Sequence, residues 1–120
     1  MPKTALIAAA TAVLLIGGAT TQAAPASLDG TGWIADDCDF DIIEFNAHGA
    51  AVAVDTDDQG EDDYGDGKWT IQGAQVHFSI PDWNEKFDGT LENDNELSGA
   101  VTAHDEKGRV IHLTCHFAKM

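Results

Sequence analysis

Apolar and polar residues alternate along the chain from Gly30 onward, in short runs separated by turn residues. Amphipathic helices repeat their apolar residues every three to four positions, and no stretch in this part of the chain has that period. The apolar runs recur about every ten residues, between turns rich in Gly, Asn and Asp. This pattern predicts an all-β domain, an antiparallel up-and-down meander of about eight short strands.

The alternation also predicts which side chains face the interior. Cys38, Phe40 and Ile42 alternate with Asp39 and Asp41, and the adjacent Ile42 and Ile43 then break the phase, which indicates a bulge or a bend. We expect the following bulky residues to face inward: Trp33, Phe40, Ile42, Val52, Val54, Trp69, Ile71, Val76, Phe78, Ile80, Phe87, Leu91, Leu97, Val101, Ile111, Leu113 and Phe117. Together they would fill a small eight-strand barrel, which disfavours carriage of a small ligand.

Residues 1–26 have the composition of a secretory leader. Lys3 is followed by an apolar run over residues 5–19 and then by small residues, with cleavage expected after Ala23 or Ala26. The run is shorter than the roughly 20 apolar residues that a membrane-spanning helix needs. We therefore expect a periplasmic or secreted protein with no membrane attachment after cleavage, in which residues 27–120 form a single β-barrel domain.

The two cysteines, Cys38 and Cys115, lie near opposite ends of the β region. An even number of cysteines in an exported chain is usually paired, so we predict one disulfide. A bridge between an early strand and the last strand brings the two ends of the sheet together, as a closed barrel requires. Neither cysteine has a second Cys or His at metal-site spacing.

The chain is strongly acidic, with 21 Asp and Glu against 6 Lys and Arg and a formal net charge of −15. Such a surface repels nucleic acid and anionic lipid. It attracts cations or a basic protein, although many exported proteins carry charge only for solubility. We therefore expect no nucleic-acid partner and consider a basic protein or an enzyme as the partner.

The densest group of acids lies in residues 55–66, which we expect to form a loop. Several of these residues fall at positions one, three, six, nine and twelve of a calcium-binding loop, namely Asp55, Asp57, Gly60, Asp63 and Asp66. Gln59 at position five and an Asp at position twelve depart from that motif. Two interpretations stay open: a calcium site with these four aspartates as ligands, or a solvated hairpin loop.

Two aromatic residues lie outside the predicted strands. Trp83 is in the loop of residues 80–84, and Tyr64 is in the acidic stretch. An aromatic residue at a loop tip either anchors a partner or folds back over the end of the barrel. We take Trp83 and Tyr64 as candidate partner-binding residues.

Catalytic chemistry has little support in the sequence. Ser27, Ser79 and Ser98 lack a Gly-x-Ser-x-Gly context, and paired cysteines offer no thiolate. No carboxylate lies in an apolar stretch that would raise its pKa. His112 and His116 would be about 13 Å apart on one strand, too far to share one metal ion. We expect a protein that is not an enzyme and that has no cofactor other than calcium.

Five segments together resemble small calycin-type barrels, the group that includes lipocalins and avidins: residues 28–33, 38–42, 67–70, 73–78 and 87–91. The opening with Trp33 followed by Cys38 and Asp39 is similar to that of bacterial periplasmic inhibitors of secreted metalloproteases. Periplasmic lysozyme inhibitors are a second group similar in size and disulfide. In the metalloprotease inhibitors the mature N-terminus enters the enzyme cleft, and the corresponding stretch here begins at Ala24 or Ser27 and ends at Asp29.

The sequence thus gives two hypotheses of different classes. The first is an exported acidic β-barrel that inhibits or sequesters a basic or secreted enzyme through its loops and outer surface. The second is a calcium-binding or structural envelope module that uses the acidic segment of residues 55–66.

Overall fold

The computed structural model describes residues 27–120, so the leader predicted for residues 1–26 lies outside the described part of the chain. The strands are β1 (Thr31–Asp36), β2 (Ile42–Phe45), β3 (Ala50–Thr56), β4 (Asp62–Gln72), β5 (Gln75–Ile80), β6 (Glu85–Asn93), β7 (Glu96–His104) and β8 (Val110–Lys119). Short 3-10 turns cover Ala47–Gly49 and Pro81–Trp83. Over residues 27–120, no helix has the length and hydropathy to cross a membrane.

Each strand is antiparallel to its neighbours in sequence, and β8 also pairs with β1, which closes the sheet into an up-and-down barrel. The predicted all-β meander barrel is therefore confirmed. The seam that closes the barrel, between β8 and β1, is short. β8 pairs with β1 only through residues 116–119, whereas it pairs with β7 through residues 110–118.

The predicted disulfide between Cys38 and Cys115 is confirmed, with the two Cα atoms 5.0 Å apart. It joins the connection between β1 and β2 to the middle of β8, beside the short seam. The bridge closes a ring of nearly the whole domain, because its cysteines are 77 residues apart. A disulfide of this kind is typical of proteins that fold in an oxidising compartment.

Aromatic rings occupy the barrel interior. Phe78 and Phe87 are stacked with ring centroids 4.7 Å apart, and Phe117 meets Phe87 edge-on at 5.3 Å. Phe45 contacts both Phe78 and Trp69, at 5.9 and 5.6 Å. Such pairs add to the free energy that burial of their apolar area provides.

The inward faces of β2 and β3 differ from the prediction. Ile43 and Ala53 are fully buried, so Ile42, Val52 and Val54 lie on the outer face. Residues 38–41, expected to be part of a strand, form a series of bends, and β2 begins only at Ile42. The inward and outward alternation of residues 38–41 therefore does not carry over into β2. Ile111, also expected inside, is 39% exposed near the start of β8.

The acidic segment is not the long loop that we expected. β3 continues to Thr56 and β4 begins at Asp62, and only a tight turn separates them. The Asp57 carboxylate accepts the backbone N–H groups of Gln59 and Glu61, each at 2.9 Å, and Gly60 has φ of +83°. This side-chain turn lets the ladder extend into an acidic sequence that disfavours strands.

Candidate functional site

Four connections meet at one end of the barrel, which we call the mouth. They are residues 37–41 between β1 and β2, 57–61 between β3 and β4, 81–84 between β5 and β6, and 105–109 between β7 and β8. Antiparallel topology places alternate connections at the same end of a meander barrel. The mouth therefore holds the disulfide, the acidic turn and the Trp83 turn together.

Glu85, at the start of β6, is a buried charged residue at the mouth. It shares the inward face of β6 with Phe87, and it is only 6% exposed. Its Oε1 atom is buried and has no hydrogen-bond partner among residues 27–120. Burial of an unpaired carboxylate is costly, so the group favours its neutral form.

The surroundings of Glu85 raise its pKa to about 8. Burial contributes most, followed by the hydrogen bond and the charge of Asp39, and then by the charge of Asp55. Asp39 belongs to the connection between β1 and β2, whereas Asp55 is near the end of β3. Burial and the neighbouring carboxylates therefore favour the protonated form of the Glu85 carboxyl group, which shares a hydrogen bond with Asp39.

Further carboxylates surround this pair. The pKa of Asp55 is raised by partial burial and then by the charges of four other aspartates, namely Asp41, Asp39, Asp63 and Asp57. The ion pairs of residues 27–120 are His77 with Asp88 and Arg109 with Asp105, and neither includes a member of this group. The part of the mouth around Glu85 and Asp55 is thus a region of concentrated negative potential, whereas Lys107 and Arg109 lie on the connection between β7 and β8.

No carboxylate lies in an apolar stretch of sequence, yet burial in the fold raises the pKa of Glu85, which was not predicted from the sequence. Glu85 was missed because its sequence neighbours, Asn84 and Lys86, are polar. The available signal was the phase of β6, in which Phe87 and Gly89 alternate with exposed residues. Extending that phase by two positions places Glu85 on the inward face.

The four aspartates proposed as calcium ligands lie on different parts of the hairpin. Asp55 pairs directly with Asp63, whereas Asp57 lies in the turn and its carboxylate accepts backbone N–H groups. Asp66 pairs with Val52 on the outer face. Within residues 27–120, no group of three or more His, Cys, Asp or Glu side chains is arranged to hold a metal ion. Calcium binding by Asp55, Asp57, Asp63 and Asp66 stays a prediction.

Thermal melts of the oxidised domain test the calcium hypothesis. A site with a Kd of about 10 µM would stabilise the fold by about 2.7 kcal/mol at about 1 mM calcium. That stabilisation raises Tm by about 10 °C or more for a domain of this size. Magnesium and chelator are the controls, and the Asp57→Asn variant should lose the shift. Equal melting temperatures in calcium and chelator would contradict the hypothesis.

Tyr64 lies on the outer wall in a row of apolar residues. Strand register places Ile34 opposite Ile42, Ile42 opposite Val54, and Val54 opposite Tyr64. Ile34 is 52% and Tyr64 is 61% exposed, whereas Val54 between its neighbours is only 8% exposed. We call these four residues the apolar belt, which crosses β1 to β4.

Acidic side chains border the apolar belt. On the side of the belt away from the mouth, Glu44 and Asp66 are the strand partners of the outward-facing Val52. On the side towards the mouth, Asp62 accepts a hydrogen bond from the Tyr64 hydroxyl at 3.3 Å. The charge of Asp62 and this hydrogen bond raise the pKa of Tyr64, with a smaller contribution from Glu44. We call Glu44, Asp62 and Asp66 the acidic rim.

Trp83 folds back onto the barrel. Its ring lies 6.3 Å from the ring of Phe40 and packs against the hydrophobic core. It also covers Gly65, where an added Cβ would be 2.8 Å from Trp83 Cε2. The two candidate partner-binding residues thus differ, because Trp83 closes the mouth while Tyr64 lies open on the wall.

The fold and the mouth define a class, a small disulfide-bonded antiparallel barrel compatible with calycin-type proteins. Comparison with known proteins matches this chain to no family model, no curated protein and no solved structure.

Proposed function

We propose that this chain is an exported binding protein that inhibits or sequesters a basic protein, most simply a secreted enzyme. The observation that carries the proposal is the apolar belt with its acidic rim. Because aromatic rings occupy the barrel interior, a partner protein would bind to the outer surface of the barrel. The belt supplies apolar area and the rim supplies charge for a partner with basic residues around an apolar patch.

The two parts of this surface contribute differently to binding. Tyr64 is a rigid aromatic side chain of the kind that anchors protein interfaces. The acidic rim accelerates association with a basic partner and discriminates against acidic ones, more than it adds to affinity. Binding of this kind weakens as salt screens the charges.

The predicted leader and the disulfide support a periplasmic or secreted location, because disulfides persist in oxidising compartments. A protein in that location also meets secreted enzymes. The resemblance to periplasmic metalloprotease inhibitors and lysozyme inhibitors supports the same proposal. The alternative, a calcium-binding or structural envelope module, depends on the calcium measurement described above.

Two triple variants of equal net charge test the proposal. One neutralises the rim (Glu44→Gln, Asp62→Asn, Asp66→Asn), and the other neutralises exposed acids elsewhere (Glu96→Gln, Asp88→Asn, Asp94→Asn). With lysozyme as the basic probe at low salt, we expect the rim variant to bind at least about tenfold more weakly than wild type. The control variant should change the affinity by less than about threefold.

Tyr64→Ala should weaken the same complex by about tenfold without unfolding the protein, because the side chain is exposed. Inhibition of lysozyme and of a secreted metalloprotease is measured in parallel. Equal losses in both triple variants would show that only net charge matters and would contradict the role of the belt.

A further inference from the structure

One row of side chains on the outer wall of β4 to β8 contains basic and hydroxyl groups and no carboxylate. Strand register places Lys68 opposite Ser79, and Ser79 opposite Lys86. The row continues through Thr102 and His112. On β4 to β7 the residue that follows or precedes each member is buried, so the row faces outward. In a chain with 21 Asp and Glu against 6 Lys and Arg, this row is a local reversal of charge.

The two lysines of the row lie on either side of Ser79. Neighbouring strands are about 4.8 Å apart, so the Cα atoms of Lys68 and Lys86 are about 10 Å apart. Each ammonium group ends a flexible four-carbon stem, so both can reach a ligand that lies over the Ser79 hydroxyl. Three groups that donate hydrogen bonds therefore converge on one point of the wall.

Both ammonium groups lack a carboxylate partner in the described part of the chain. The ion pairs of residues 27–120 do not include Lys68 or Lys86, and both residues are exposed. The acidic rim comes nearest along β4 at Asp66, two positions before Lys68. Two unpaired positive charges on either side of one strand repel each other, and an anion between them would relieve this repulsion.

A groove of about 220 Å³ opens at the row. Lys68, Ser79 and Lys86 all line it. Among the described residues, Asp88 is the only carboxylate in the lining, and it lies against Nδ1 of His77. The groove is too small for a segment of another protein, but it admits a small charged group.

We propose that Lys68, Lys86 and Ser79 bind the phosphate group of a small soluble phosphate monoester. Such a group carries a charge of about −1.5 to −2 at pH 7 and has three strong acceptor oxygens, which matches two ammonium groups and a hydroxyl. A carboxylate ligand has a single charge and would leave one ammonium group uncompensated. Lysine is a common phosphate ligand and acts as a point charge.

The acidic surface around the site restricts the ligand to a small molecule. Nucleic acid and anionic membranes extend far beyond a groove of this volume, so the carboxylates elsewhere on the barrel repel them. None of the three site residues belongs to the apolar belt or to the acidic rim. The site therefore adds a ligand to the proposed function and does not depend on it.

Inorganic phosphate is the first probe, titrated into the isotope-labelled oxidised protein at an ionic strength held constant with sodium chloride. We expect saturable shifts of the backbone amide resonances of Lys68, Ser79 and Lys86, with half-saturation at about 1 mM. Lys68→Gln and Lys86→Gln should each weaken binding by about tenfold. Lys107→Gln removes the same charge from an exposed turn, and it should change the affinity by less than about twofold.

The hydroxyl and the net charge are tested separately. Ser79→Ala leaves the charge unchanged and should weaken phosphate binding by about threefold. Equal weakening in all three lysine variants would overturn the inference, because net charge alone would then explain it. Shifts of the wild-type resonances that do not saturate would also overturn it.

Two further probes distinguish the source of the phosphate group. Glycerol phosphate, a soluble monoester, should bind within about threefold of inorganic phosphate and lose affinity in the same lysine variants. Vesicles of phosphatidylglycerol should not retain the protein, because its net charge is −15. Retention on these vesicles that requires both Lys68 and Lys86 would contradict the assignment to a small soluble ligand. Loss of lysozyme binding would leave this site unaffected and remove only the proposed function.

Discussion

Replacement of both Cys38 and Cys115 by alanine lowers the free energy of unfolding by about 4–5 kcal/mol, the loop-closure contribution of a ring this long. The bridged residues are 77 positions apart, so the reduced chain gains most of the conformational freedom of the domain. Small domains are stable by about 5–15 kcal/mol in total. We therefore expect a loss of about 20 °C or more in Tm.

Urea unfolding of the oxidised wild type, the reduced wild type and the double variant measures this effect. The reduced wild type is the matched control, because it loses the bridge but keeps both side chains. The reduced protein and the double variant should agree within about 1 kcal/mol. A loss of less than about 1 kcal/mol in both would mean that the β1–β8 seam is held by its strand pairing alone.

Replacement of Glu85 by Gln stabilises the barrel increasingly as the pH rises. The pKa of Glu85 is about 8 in the folded protein and 4.5 in the absence of the fold. Between these values the folded state holds a proton that the unfolded state has lost, so wild-type stability falls as the pH rises. The slope from this group is at most about 1.4 kcal/mol per pH unit, and it ends above pH 8. Gln cannot ionise and lacks this slope.

The difference in unfolding free energy between Glu85→Gln and wild type, measured from pH 5 to pH 9, isolates this term from the other carboxylates. It should be small at pH 5, grow to several kcal/mol near pH 8, and then remain constant. The exposed Glu106→Gln variant is the control, with an expected change within about 0.5 kcal/mol at every pH. A difference that does not change with pH would show that Glu85 is ionised in the folded state at pH 7.

The fold followed from the sequence because strand period and turn residues are local properties. Runs such as residues 74–80 and 86–92 have one apolar face and one polar face, so their inward residues were predicted correctly at Val76, Phe78 and Phe87. Ile42 and Ile43, and the run of residues 50–54, are apolar on both faces. Alternation then cannot say which face is inside, and Ile42 was assigned to the wrong one.

The site was harder to predict because it depends on register and on the phase of a strand end. Tyr64 was a candidate from its position, but its place in the apolar belt needs the register of three strand pairs. No local pattern contains that information. Glu85 was missed for a different reason, since a polar residue next to a turn is expected to be exposed.

The small inward residues of β3 affect how this strand finds its place during folding. A shift of one residue in the pairing of β3 would turn Val52 and Val54 inward and expose Ala51 and Ala53. Because valine is more hydrophobic than alanine, hydrophobicity alone would favour this shifted pairing. The interior beside β3 already holds the contact between Phe45 and Trp69, 5.6 Å apart, so two valines would overpack it. Steric volume, and not apolar character, therefore selects the native alignment of this strand. Enlarging Ala51, which pairs with Phe45, would harm folding more than its hydrophobicity suggests.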